Sequence, residues 1–180
     1  MNRLDEAFNS TPSALAANSR GRITSDQVTY VRERGQRELR RLGVALVLPI
    51  VGFIAFIVAA FAINANTVTG VVFIVGVCLF GLMIYTRGVA LWRYRRNLRL
   101  DLETREAYEV CGRIKPQTYG GHDLFIERYR FGGLNALQRA VFDRSARYRL
   151  YFTPRTHIVL GAEELDNSEI LKQTFALKMD

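Results

Sequence analysis

Residues 42–86, LGVALVLPIVGFIAFIVAAFAINANTVTGVVFIVGVCLFGLMIYT, contain no charged side chain, and every Lys, Arg, Asp and Glu of the chain lies on one side of this run or the other. One transmembrane helix needs about 20 apolar residues, so the run is long enough for two. Its one polar cluster, Asn64-Ala65-Asn66-Thr67-Val68-Thr69, is rich in turn formers and divides it into spans at about 42–63 and 67–86. The second span reaches Trp92 if Arg87 extends its guanidinium toward the headgroups. Ala60-Phe61-Ala62 has the small-x-small spacing of a processing site. However, the run begins too far into the chain and is longer than the ~7–15 apolar residues of a cleaved leader, so none is expected.

The flanks set the orientation. Arg32, Arg34, Arg37, Arg40 and Arg41 precede the first span, Arg87, Arg93, Arg95, Arg96 and Arg99 follow the second, and the connecting loop is uncharged. The positive-inside rule then predicts an integral membrane protein, of the bacterial inner membrane, with both termini in the cytoplasm and a short loop outside. The formal net charge of +8 divides into +3 over residues 1–41, +3 over 87–106 and +2 over 107–180. A basic chain invites a nucleic-acid reading. Here the excess gathers at the membrane edge, where topology and anionic lipid account for it and nucleic acid is disfavoured.

Within the first span Pro49 removes an amide donor and predicts a kink, read either as a hinge or as packing that transmembrane helices tolerate. Gly52, Ala55 and Ala59 give this span a small-residue face, with Ala55 and Ala59 at small-xxx-small spacing. Gly76 and Gly81 in the second span, with Gly70, are too irregular for a GxxxG motif. These residues are expected to let the two helices approach each other, or a partner's helix or a second copy of the hairpin to do so. No ionisable side chain lies inside either span, which argues against a proton relay or ion path through this chain alone.

Outside the membrane, residues 1–23 read as a flexible N-terminal segment, with turn-rich Asn9-Ser10-Thr11-Pro12-Ser13 and Asn18-Ser19-Arg20-Gly21. Thr24 with Gln27 forms a capping-box signature that opens an interfacial or cytoplasmic helix over 24–41, bending at Gly35 or Gly43. Residues 93–165 read as a juxtamembrane basic segment and a small β-domain. Trp92 and Tyr94 suit the interface, and Leu98 to Glu103 alternates like a strand yet equally continues a helix. Period-two alternation predicts strands over 108–114, 124–131 and 148–153, the last in a hairpin with 157–160 through Pro154-Arg155-Thr156. Tyr119-Gly120-Gly121-His122-Asp123 reads as a turn, and Asn135 with Gln138 caps a short helix through Phe142. This content suits a small barrel or a compact sheet, and a fragment from Asp101 to Asp180 is expected to be β-rich by itself. Residues 166–180 read as a tail or short amphipathic helix. The fold class is therefore membrane α+β: a two-helix transmembrane hairpin, a preceding helix and a C-terminal β-barrel-like or compact sheet domain.

The residues point away from catalysis. Cys78 and Cys111 sit in different segments, and neither His122 nor His157 has a second ligand at metal spacing. There is no phosphate-cradling Gly-x-x-x-x-Gly-Lys run and no nucleophile elbow, so no cofactor and no enzymatic site is expected. The sharpest pattern is the basic and aromatic interleaving of Arg128-Tyr129-Arg130-Phe131 and Arg147-Tyr148-Arg149-Leu150-Tyr151. Period two places Arg128 with Arg130, and Arg147 with Arg149, on single strand faces. If the strands are neighbours, four guanidinium groups form a ridge for a polyanion or acidic partner. The plainer reading is a half-buried sheet whose solvent face carries arginines paired with acids.

The hairpin followed by Glu109-Val110-Cys111-Gly112-Arg113-Ile114 and by Tyr-Arg-Leu-Tyr-Phe-Thr-Pro-Arg at Tyr148 to Arg155 resembles bacterial membrane proteins of uncharacterised activity that carry a small cytoplasmic β-domain. The resemblance covers roughly residues 43–165 and implies no functional residue. The expected function is a non-enzymatic scaffold, anchor or accessory subunit of a membrane complex, with other membrane subunits as partners. The alternative is a tethered module that binds anionic lipid or another polyanion through a basic sheet face.

Overall fold

The structure is a computed structural model that describes residues 3–8, 10–62, 67–115, 123–143 and 145–165. It divides into two compact units, one of Met1–Arg34 with Leu100–Asp180 and one of Gly35–Arg99. Asn64, Ala65 and Asn66 of the expected loop, Tyr119 to His122 of the Gly-rich turn, and the tail at 166–180 lie outside the described residues, whereas Thr67 to Thr69 are helical.

Two 38-residue helices, α3 (Ser25–Ala62) and α4 (Thr67–Thr104), carry the apolar run, and both are long and apolar enough to cross a membrane. α3 opens on the expected capping box. Thr24 N donates to Gln27 Oε1 at 3.2 Å, and Gln27 N donates to Thr24 Oγ1 at 3.4 Å. It then continues as one helix past Gly35, Gly43 and Pro49, so the helix expected over 24–41 runs directly into the first span as the first part of α3. Leu98 to Asp101, which fits either period, is helical: Leu98 and Asp101, three residues apart, are the buried pair.

In the Gly35–Arg99 unit the two helices pack antiparallel. As the α3 residue number rises from 35 to 56, its partner on α4 falls from 98 to 76: Gly35 faces Leu98, Gly52 faces Phe80, and Phe56 lies on Gly76. The contact is an aromatic ladder seated on glycine, with Phe56 stacked on Phe73 at 5.9 Å and tilted against Phe80 at 5.8 Å. Gly52 and Gly76 thus serve the hairpin itself, since a Cβ at either meets a phenyl ring. Ala55, Ala59 and Gly81 are exposed, and a Cβ at Gly81 meets nothing within 4 Å, so these three do not form the helix contact. Gly76→Val is therefore expected to weaken the hairpin by roughly 1–3 kcal/mol through overpacking. Gly81→Val should leave it unchanged. Denaturant titration of the purified chain followed by helicity checks both, and equal effects would refute the assigned interface.

The second unit is built on a five-stranded antiparallel sheet in the order β3-β2-β1-β4-β5. The strands are β1 (Tyr108–Lys115), β2 (Leu124–Ile126), β3 (Tyr129–Phe131), β4 (Arg147–Phe152) and β5 (Val159–Glu164). The sheet is open and not a barrel. The single strand expected over 124–131 is a hairpin, because Glu127 takes φ +52° and turns the chain with Arg128. β4 and β5 form the expected hairpin through Pro154-Arg155-Thr156.

Residues 1–23 are not a loose tail. α1 (Arg3–Phe8) buries Leu4 and Phe8 in the same apolar cluster as Val110, Ile126, Leu150 and Phe152. α2 (Pro12–Asn18) is capped by Thr11, whose hydroxyl accepts from Ala14 N at 3.2 Å, with Pro12 in the first turn. α5 (Ala136–Ala140) opens on the expected Asn135–Gln138 box but ends before Phe142. Gln138 is buried and also joins three helices: its Nε2 donates to Ala7 O at 3.1 Å and to Tyr30 Oη at 3.4 Å, while its Oε1 accepts from Arg34 Nη1 at 3.1 Å.

Candidate functional site

The basic residues singled out in the sequence fall into two groups with different geometry. On the helices, Arg37, Arg40, Arg41, Arg87, Arg93, Arg95 and Arg96 are all exposed. Trp92 is 60% exposed and its ring carries the Arg96 guanidinium 5.7 Å above its centroid. Glu38 pairs with Arg41 at 3.5 Å.

On the sheet, the four candidate arginines are not brought together. β3 and β4 are separated by β2 and β1, so Arg128 and Arg130 lie away from Arg147 and Arg149. Arg128 sits in the β2–β3 turn with its guanidinium 5.4 Å from the Tyr129 ring, so it shares no strand face with Arg130. Arg130 Nε donates to Asp123 Oδ2 at 2.6 Å. Arg147 is exposed opposite Arg113. Arg149 is largely covered and lies 3.7 Å from Glu163 Oε2. Two of the four charges are thus matched by carboxylates, and the ridge is not assembled.

Arg149 instead belongs to a polar cluster beside α2. Register puts Cys111 and Glu163 on either side of it, on β1 and β5. Tyr151 Oη donates to Glu163 Oε2 at 3.0 Å, and burial followed by the Glu163 charge pushes the Tyr151 hydroxyl up to about 12. Pro12, Leu15, Ala16 and Ser19 face these side chains across a groove of about 320 Å³. Gly161 gives Leu15 room there, since a Cβ would come 2.8 Å from Leu15 Cδ2 and the leucine would have to shift. The groove offers a neutral phenol and an internally paired ion.

Sequence reasoning missed a fully buried and multiply bonded carboxylate of this unit. Asp101, in the last turn of α4, has no exposed surface. Its Oδ2 accepts from Thr156 N at 2.8 Å and Thr156 Oγ1 at 2.7 Å, its Oδ1 accepts from Arg155 N at 3.2 Å, and Arg155 Nη1 stands 3.5 Å away. The carboxylate thereby fixes the β4–β5 turn, where Ile158 N also donates to Thr153 Oγ1 at 2.9 Å. Next to it His157 is packed among rings, 5.7 Å from Phe152 and 5.8 Å from Tyr129. The sequence signal was the three-residue spacing of Leu98 and Asp101, masked by the overlapping period of two.

Among the described residues no group of three or more His, Cys, Asp or Glu is placed to hold a metal ion. No protein-family model, curated protein or solved structure matches the chain.

Proposed function

We propose that the chain is an integral membrane protein whose α3–α4 hairpin spans the bilayer with both ends in the cytoplasm, and that it acts as a non-enzymatic scaffold or accessory subunit of a membrane complex. The observation that carries this reading is the exposure of the apolar run. Leu48 is 77% exposed and Val44 72%, and the α4 side chains Val71, Ile74, Leu79 and Leu82 are exposed as well. A soluble protein does not leave so continuous an apolar surface to water, whereas a bilayer covers it without cost. The sheet unit then serves as the docking module. Its polar groups support that role because they are spent on architecture: Asp101 on a turn, Gln138 on a three-helix junction, and Glu163 on Tyr151 and Arg149.

Isolation of the full chain in mild detergent after brief crosslinking is the test. Membrane subunits should co-isolate in fixed ratio, and replacing Arg128, Arg130, Arg147 and Arg149 with Gln should leave that association intact, because buried apolar contacts carry it and salt affects them little. A chain that isolates alone, and binds polyanions in an arginine- and salt-dependent way, would refute the subunit reading.

A further inference from the structure

Residues 35–99 hold eight arginines, no lysine and a single acid, Glu38, so +7 of the chain's +8 resides in the helical unit. The antiparallel register shows where this charge lies. Gly35 is level with Leu98 and Gly52 with Phe80, so residues 37–41 of α3 stand at the height of 92–96 of α4. With a rise of 1.5 Å per residue, each segment covers ~6 Å along its axis. Arg40, Arg41, Arg93, Arg95, Arg96 and Trp92 therefore form one thin collar around the helix pair, all six exposed. On α4, Trp92, Arg95 and Arg96 follow the i, i+3, i+4 spacing of a single face, with the Arg96 guanidinium over the indole.

We infer that this collar is a binding site for the phosphate headgroups of anionic phospholipids. The inference rests on the membrane reading above. On α3 the site begins where the uncharged residues end, at Arg41, and on α4 it follows Arg87 by five residues; the 21 uncharged residues of α3 from Leu42 to Ala62 extend ~32 Å, about the thickness of the hydrocarbon core. The arginine side chains therefore meet the headgroup layer. Guanidinium forks match phosphate oxygens two at a time, which an ammonium does not, and the exclusive use of arginine fits that acceptor. Trp92 supplies the amphipathic ring that settles at the same depth.

Trp92 is the only tryptophan in the chain, so it reports on its own lipid neighbours. The full chain is reconstituted in phosphatidylcholine vesicles containing brominated phosphatidylglycerol or brominated phosphatidylcholine, and quenching of Trp92 fluorescence is compared. The anionic lipid should be enriched around Trp92 about fivefold or more at low salt, as expected for several basic side chains at a charged surface. Replacing Arg93, Arg95 and Arg96 with Gln should bring the ratio close to one, and replacing them with Lys should restore part of it. Circular dichroism confirms that each variant keeps its helices. Equal quenching by both lipids in the unmodified chain, or enrichment that survives the Gln replacements, would overturn the inference. So would arginine-dependent capture of an acidic membrane subunit without lipid preference. Absence of quenching by either lipid would instead refute the membrane reading itself.

Discussion

Asp101→Ala is expected to lower the stability of the sheet unit by about 3–5 kcal/mol, the range for breaking a buried, hydrogen-bonded charge by removing one partner. The loss is large because two backbone N–H groups and the Thr156 hydroxyl lose their acceptor together. Each unsatisfied donor costs about 1–3 kcal/mol where water cannot reach it. Asp101→Asn should fall between, since its amide oxygen serves some of these donors without the charge that faces Arg155. Glu109→Gln, at an exposed position on β1, should change stability by no more than ~0.5 kcal/mol. Near-ultraviolet circular dichroism melts of the full chain in detergent measure all three. An Asp101→Ala melt within a degree or two of the unmodified chain would show that the β4–β5 turn does not depend on this carboxylate.

A chain beginning at Thr24 is expected to lose the cooperative transition of the sheet unit altogether. Residues 1–23 contribute Leu4, Phe8, Ala14 and Ile23 to the buried apolar set. Truncating a buried Phe costs about 3–5 kcal/mol and a buried Leu about 2–5, and the sum takes most of the ~5–15 kcal/mol that a domain has. The same reasoning revises the expectation for residues 101–180 alone. That fragment lacks α1, α2 and the start of α3, and should be a non-cooperative, protease-sensitive species. Phe8→Ala in the full chain should cost about 3–5 kcal/mol. Glu6→Gln, on the exposed side of the same helix, should cost almost nothing. Pulse proteolysis reads both, and a fragment from residue 101 that melts cooperatively would contradict the composite unit.

These two cases show where the sequence was readable. The apolar run was legible because a long uncharged stretch has few uses outside a bilayer, and the two capping boxes because each needs only two residues at fixed spacing. The β4–β5 hairpin was marked by alternation around Pro154. The β2–β3 turn was not, because it uses Glu127 at positive φ where Gly or Asn is usual, and the alternation of 124–131 runs through it. The role of residues 1–23 was hidden by their turn-forming composition, although Leu4 and Phe8 already stood at helical spacing. Asp101 was illegible for a different reason. Its three-residue spacing from Leu98 was masked by the alternating leucines, and a lone acid gives no sign of its partner, which lies more than fifty residues along the chain. The proposed ridge failed on strand order, which depends on long-range pairing that a local period does not encode.

The most direct test of the membrane hairpin is cysteine accessibility in sealed cells, in a background with Cys78 and Cys111 replaced by Ser. A cysteine at Asn66 should react with an impermeant thiol reagent, and cysteines at Ser19 and Ser168 should react only after permeabilisation, as the arginine-rich flanks require. Labelling at Ser19 or Ser168 in sealed cells, or release of the chain from membranes by alkaline carbonate, would contradict a hairpin with both ends in the cytoplasm.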